Sequence, residues 1–386
     1  MTKLRRRCTL FALAALILLL TSGCMGGPRS ETIVIPGTDD DQMNSGATTG
    51  QSFRVKTIYR LPASAANGAQ LLGWANNADL VALSAESRAA TSTGLQLQRL
   101  APPYEQFQPM EGTVPAAGWY ALSPDGTRTA FIAKAKTGTE LTLASLTDGK
   151  SAHMAAPPNG QWQMLSGSLS WSNNGRFVSY LVVSAEERGQ LRIVVCDTVD
   201  RTAELYPLTG LQSYGELIKV ALSDDGSGAL IDTGKTVAFA KRNGDGYAVQ
   251  YDRPSGFGES AWVGESQFAF LGSDGTLFQY DIRNGELSVL LEKVDSFRLS
   301  ADRKSIAYTQ DEKDTIFAGK LQGNNILYSE AVYQGVYPLR MDWSLDGGAL
   351  LVDGRKRYAH AAAQGMPAVE SNPVVDQLPF IIRFRS

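Results

Sequence analysis

Histidine and cysteine are nearly missing from this 386-residue chain: His153 and His360 are the only histidines, and Cys8, Cys24 and Cys196 the only cysteines. Neither histidine stands in an H-x-x-x-H setting and no C-x-x-C pair occurs, so the familiar zinc-ligand spacings are excluded. G-x-S-x-G nucleophile elbows and Walker-type glycine loops are missing too. No catalytic residue, metal site or cofactor is therefore expected. Positive charge is short: 36 Lys and Arg face 39 Asp and Glu, a net charge of −3. Phosphate binding needs a basic stripe, so nucleic acid is not expected as a partner. Long apolar runs are absent as well. The longest, Cys8 to Leu20, has 13 residues, whereas a helix across a membrane needs about 20. No convincing amphipathic helix follows position 51.

What is present begins with the N-terminus. MTKLRRR is a basic region without an acidic residue, the short apolar run follows, and TSGC closes the segment at Thr21 to Cys24. This is the layout of a secretory signal. Ser22 and Gly23 before the cysteine resemble a bacterial lipobox, with Thr21 departing from the usual leucine. That resemblance implies cleavage before Cys24 and lipidation of its thiol. Residues 1–23 are thus expected to be a signal peptide, and loss of their four cationic side chains takes the net charge from −3 to −7. The expected location is the cell envelope, lipid-anchored and facing the extracytoplasmic side. With Cys8 removed and Cys24 acylated, Cys196 has no disulfide partner and reads as a small buried hydrophobe. Residues 24–51, rich in Gly, Ser, Thr and Asp, read as a solvated flexible tether.

From position 52 onward one short pattern keeps returning. LSPDG at Leu122 is matched by WSNNG at Trp171, LSDDG at Leu222, LSADR at Leu299 and WSLDG at Trp343, with looser forms at Trp74 (WANNA) and Trp262 (WVGES). Aligned on these seven key residues, the intervals are 48, 49, 51, 40, 37 and 44 residues, the period of propeller blades. In LSPDG the serine and proline suit the first two positions of a type I turn, and Asp125-Gly126 close it. Apolar runs on both sides read as two strands of a hairpin, and two further strands complete each unit. Such a sheet exposes two apolar faces and must stack on its neighbours. The expected fold is all-β: a seven-bladed β-propeller of four-stranded antiparallel blades over residues 52–386. The alternating segment at residues 52–61, SFRVKTIYRL, is expected to supply the outermost strand of the last blade.

Ser123-Pro124-Asp125-Gly126 followed by Ala130-Phe131 resembles the repeat of the TolB-like propellers, and the units at Ser300 and Ser344 match it in part. The resemblance implies the fold over nearly all the chain after the tether. It implies no particular activity, because propellers host many. The stretches APPYEQFQPMEG, APPNGQWQMLSG, LTGLQSYGE, DRPSGFGES and AVYQGVYPL are read as connections between units on one face. They carry Tyr104, Phe107, Trp162, Tyr214, Phe257, Tyr333 and Tyr337, rings that suit binding of an envelope protein, peptide or glycan. Asp353 to Arg357 reads as a charged turn. The expectation is an interaction module tethered to a membrane through Cys24. The alternative is an extracytoplasmic propeller enzyme, of lyase or lactonase type, with acid or calcium chemistry in the central channel.

Overall fold

The computed structural model describes residues 32–33, 53–85, 94–115, 118–135, 138–154, 162–165, 169–184, 190–211, 219–311, 313–357 and 375–385. Cys24, the signal segment, nearly all of the tether and Tyr214 lie outside them. Among the described residues the structure is almost wholly β, with a single five-residue helix, Ala63–Asn67. None of the described helices is long and apolar enough to cross a membrane.

Each SxDG motif is a small hydrogen-bonded device. Ser123 accepts the Gly126 N–H on its carbonyl (2.9 Å) and the Arg128 N–H on its hydroxyl (3.0 Å), while the hydroxyl donates to Asp125. The same bonds recur at Ser172 with Asn174, Ser223 with Asp225, Ser300 with Asp302 and Ser344 with Asp346. All five serines are buried, so each hydroxyl satisfies a backbone N–H that water cannot reach. At Gly126 the backbone is left-handed (φ 68°), and a Cβ there would lie 2.4 Å from the Trp74 carbonyl. Glycine is required twice over.

The key residues set the spacing between units. Trp171 donates its indole N–H to the Ala121 carbonyl (2.9 Å), Trp262 to Ala221 (3.0 Å) and Trp343 to Arg298 (3.0 Å). Each acceptor is the residue just before the key residue of the preceding unit. Trp74 does the same to Asp342 (2.9 Å), reaching back across 268 positions to the last unit. The hydrophobic core follows suit. It comprises seven clusters, each shared by two successive units, and one joins Trp74 and Leu80 to Leu351 and Ile381. Cys196 is buried in one of them, and burial pushes its thiol up to about 12.

Strand pairing gives an arrangement of the propeller type, with one departure from the expected seven separate four-stranded sheets. Four sheets of blade size stand apart, three of four strands and one of five, and the other twelve strands form one continuous sheet. Two causes are visible. Leu208 and Thr209 pair in parallel with Tyr247 and Ala248, joining neighbouring units. The strand Gly246–Trp262 then runs unbroken, pairing with Thr236–Asn243 through its first half and with Gln267–Gly272 through its second. In the five-stranded sheet the expected closing strand joins the last unit but is not its outermost strand. Thr32–Ile33, from the stretch read as a tether, pairs antiparallel on its outer side, Thr32 with Tyr59 and Ile33 with Ile58. Val55–Arg60 pairs antiparallel with Val375–Phe384, so chain residues from both ends share one sheet. Phe53 anchors it, packed edge-on against Phe384 (5.4 Å) and beside Trp343 (5.8 Å). Asp353 to Arg357 is not a turn. It continues the strand Ala349–Arg357 and pairs with residues from Val375 to Pro379.

Candidate functional site: the central channel

Because antiparallel strands reverse direction, each innermost strand runs from the connection with the preceding unit to its own SxDG turn. The innermost strands surround a cavity of about 670 Å³ lined along its length by their side chains. The residue immediately before each key residue faces it in every unit: Gly73, Ala121, Ser170, Ala221, Ala261, Arg298 and Asp342. The residue three before does so at Leu71, Lys219, Glu259, Ser296 and Arg340. Among the described residues charge in the wall is thereby confined to four successive units, and the first three present small, apolar or neutral polar groups.

The charged wall is interconnected. Asp342, only 9% exposed, is paired with Arg298 (2.8 Å) and with Arg340. Arg340 also donates to the carbonyls of Leu71 (2.5 Å) and Leu72 (2.6 Å), tying the last unit to the first. The Glu259 carboxylate accepts the Phe297 N–H. Burial pushes its carboxyl up to about 7, against the lowering pull of that N–H, Arg298 and Lys219. Burial, with Arg298 adding to it, pushes the Lys219 ammonium down to about 8. The Lys219 ammonium makes one long hydrogen bond, to the Ser260 carbonyl at 3.5 Å. Behind it, Asp232 is buried with Oδ2 unpartnered, and burial holds its carboxyl above the usual range.

At the SxDG end three turns are clasped across the channel. Asn173 donates to the Ala301 carbonyl (2.9 Å), Arg303 pairs with Asp224 (2.7 Å), and Asp224 accepts the Asn174 N–H (2.8 Å). Arg303 occupies the left-handed position (φ 62°) that glycine fills in the turns at Gly126, Gly175, Gly226 and Gly347. A non-glycine side chain there is strained, and the bond across the channel offsets that cost. At the other end stands Leu339, 55% exposed.

The described aromatic candidates are scattered. Tyr104 is a core residue, 1% exposed, with its hydroxyl donating to the Ala78 carbonyl (2.6 Å) and its ring edge-on to Tyr59. Its stretch is also not a connection between units, because it joins Gly94–Leu100 to Gln108–Pro115 on the SxDG face. Phe107 packs partly buried against the same cluster. Trp162 pairs within the third unit and lies under the Arg192 guanidinium (4.8 Å). Tyr333 is half-buried against Phe380 (4.4 Å). Tyr337 is exposed at the start of the last innermost strand. The backbone of Phe257 lies in the strand Gly246–Trp262, while its side chain, like Tyr214, falls outside the described ones. Among the described side chains, none of these rings lines the channel wall. The residues that do line it were detectable in sequence only by reading the columns one and three places before each key residue. Taken singly, Lys219, Glu259, Arg298 and Arg340 look like ordinary surface charges.

Among the described residues no group of three or more His, Cys, Asp or Glu side chains is placed to hold a metal ion. No family model and no curated protein matches the chain. Solved structures do. An oligogalacturonate lyase in complex with manganese superposes with a TM-score of 0.57 at 10% identity, over 92% of this chain and 98% of the other. The C-terminal WD40 domain of Sif2 matches at 0.45, with 14% identity over 82% and 97% of the two chains. Hsv2 of Kluyveromyces lactis matches at 0.43, with 13% identity over 66% and 78%. At 10% identity the likeness to the lyase is one of fold alone, an all-β arrangement of propeller type.

Proposed function

We propose that the chain is a membrane-anchored extracytoplasmic lipoprotein whose TolB-like propeller acts as an interaction module. Its propeller is read as seven-bladed: the twelve-stranded sheet counts as three blades fused at the Leu208–Tyr247 pairing and along Gly246–Trp262. Seven key residues and seven shared clusters support that count. The observation that carries the binding reading is the state of the channel carboxylate Asp342. Two arginines are ion-paired to it, so it serves as a fixed brace for cationic donors. The anchor is tested with Cys24→Ser: the variant should leave the detergent phase and carry no acyl mass, and equal partitioning of both forms would refute it.

A second reading, a propeller enzyme of lyase or lactonase type, is favoured by one specific feature. Glu259 is pushed up to about 7 and Lys219 down to about 8 while facing the same cavity, which is how acid–base pairs are tuned. Steady consumption of an envelope glycan or lactone, lost in Glu259→Gln, would establish the enzyme. Saturable binding without turnover supports the module.

A further inference from the structure

We propose that the channel is a binding site for a small organic anion, whose anionic oxygens are taken by Lys219 and Arg298 with Arg340 beside them. The inference holds for a binder and for an enzyme alike. Three observations meet here. First, the described side chains lining the wall carry more cations than carboxylates: Lys219, Arg298, Arg340 and, at the turns, Arg303, against Glu259 and Asp342. The carboxylates that offset this charge from behind, Asp232 at Lys219 and Asp224 at Arg303, do not line the cavity, so a ligand there meets more cationic donors than acceptors. Second, the donors are underused. Arg298 is half exposed and spends one guanidinium N–H on Asp342, and the Lys219 ammonium has only its 3.5 Å bond to Ser260. An anion between them would supply the acceptors that both lack, in charge-assisted bonds. Third, the space is right. A cavity of about 670 Å³ falls within the roughly 300–1,000 Å³ of small-molecule sites.

The opposite wall says what the rest of the ligand resembles. Gly73 and Ala121 leave room, and Leu71, Leu122 and Leu169 supply apolar surface. An acid with a compact apolar or weakly polar body fits this two-sided pocket better than a bare inorganic ion. The clasp of Asn173 with Ala301 and of Arg303 with Asp224 spans the SxDG end, so the anion is expected to enter from the side of Leu339.

Calorimetric titration at constant ionic strength provides the test, with benzoate, phenyl phosphate and neutral benzamide as probes. At least one anion should bind saturably and about tenfold or more tighter than benzamide. The tighter of the two distinguishes a carboxylate ligand from a phosphoryl one. Lys219→Met and Arg298→Gln should each weaken that binding about tenfold, while Arg283→Gln, on an outer turn, leaves it unchanged. Melting curves check that the variants fold, and Arg298→Lys replaces Arg298→Gln if that one does not. Crystals soaked in bromide should show an anomalous peak between Lys219 and Arg298. Anions that bind no better than benzamide, unaltered affinity in both variants, or an empty channel after bromide soaking would overturn the proposal.

Discussion

Trp262 and Leu222 stand at the same place in successive units, yet only the tryptophan bonds the neighbouring strand, through Ala221. Its ring also fills the cluster with Phe239 and Phe268. Trp262→Leu keeps a hydrophobe that three other units accept but loses the N–H and leaves space, so it should cost about 2–4 kcal/mol in denaturant unfolding. Ser344→Ala strands the buried Ala349 N–H and should cost about 1–3 kcal/mol. The channel pair makes a prediction of opposite signs. Folded Glu259 keeps its proton up to about 7, against an ordinary 4.5, so the folded state binds more protons in between and stability falls as pH rises through that window. Folded Lys219 releases its proton near about 8, against an ordinary 10.5, so stability rises with pH between those values. Melting temperatures in Glu259→Gln should lose the first slope, and those in Lys219→Met the second. The turn serines and aspartates were legible because they recur in phase. The channel charges were not, since each appears in one or two units and the alternation of the innermost strand, rather than any motif, turns it inward.

At the scale of elements, the closing strand was readable from its alternation and the curvature of the connections was not. Val55, Thr57, Ile58, Tyr59 and Arg60 pair with the strand Val375–Phe384, and Phe53, Ile58 and Leu61 are buried. Deleting residues 52–61 should remove several kcal/mol of burial and lower the melting temperature by on the order of 10 °C, with aggregation from the exposed edge. Unchanged melting would mean that Val375–Phe384 closes the last sheet unaided. DRPSGFGES, with its proline and glycines, reads as a loop. It becomes strand because Ser255 and Ser260 both pair with the following unit, across a register shift that absorbs the intervening residues. APPYEQFQPMEG misleads for a different reason. Its aromatic, Tyr104, turns inward from a left-handed backbone position (φ 68°) and bonds the Ala78 carbonyl in its own unit. Composition marks a ring and a turn, but only the third dimension decides which way the ring faces.

For the molecule as a whole, the two ends of the channel differ. One is spanned by hydrogen bonds between turns, and the other presents Leu339 beside the cationic wall. If the propeller is an interaction module, its partner or ligand meets the second end. The direct measurement is site-specific photo-crosslinking in native membranes, with the probe placed at Leu339 or at Val199. Both are exposed apolar residues, and Val199 sits on the SxDG face between Leu191–Asp197 and Thr202–Thr209. A probe at Leu339 should capture a discrete adduct that is lost in Arg298→Gln, while the probe at Val199 captures none. Equal adducts from both positions, or an adduct from Val199 alone, would contradict binding at the channel mouth.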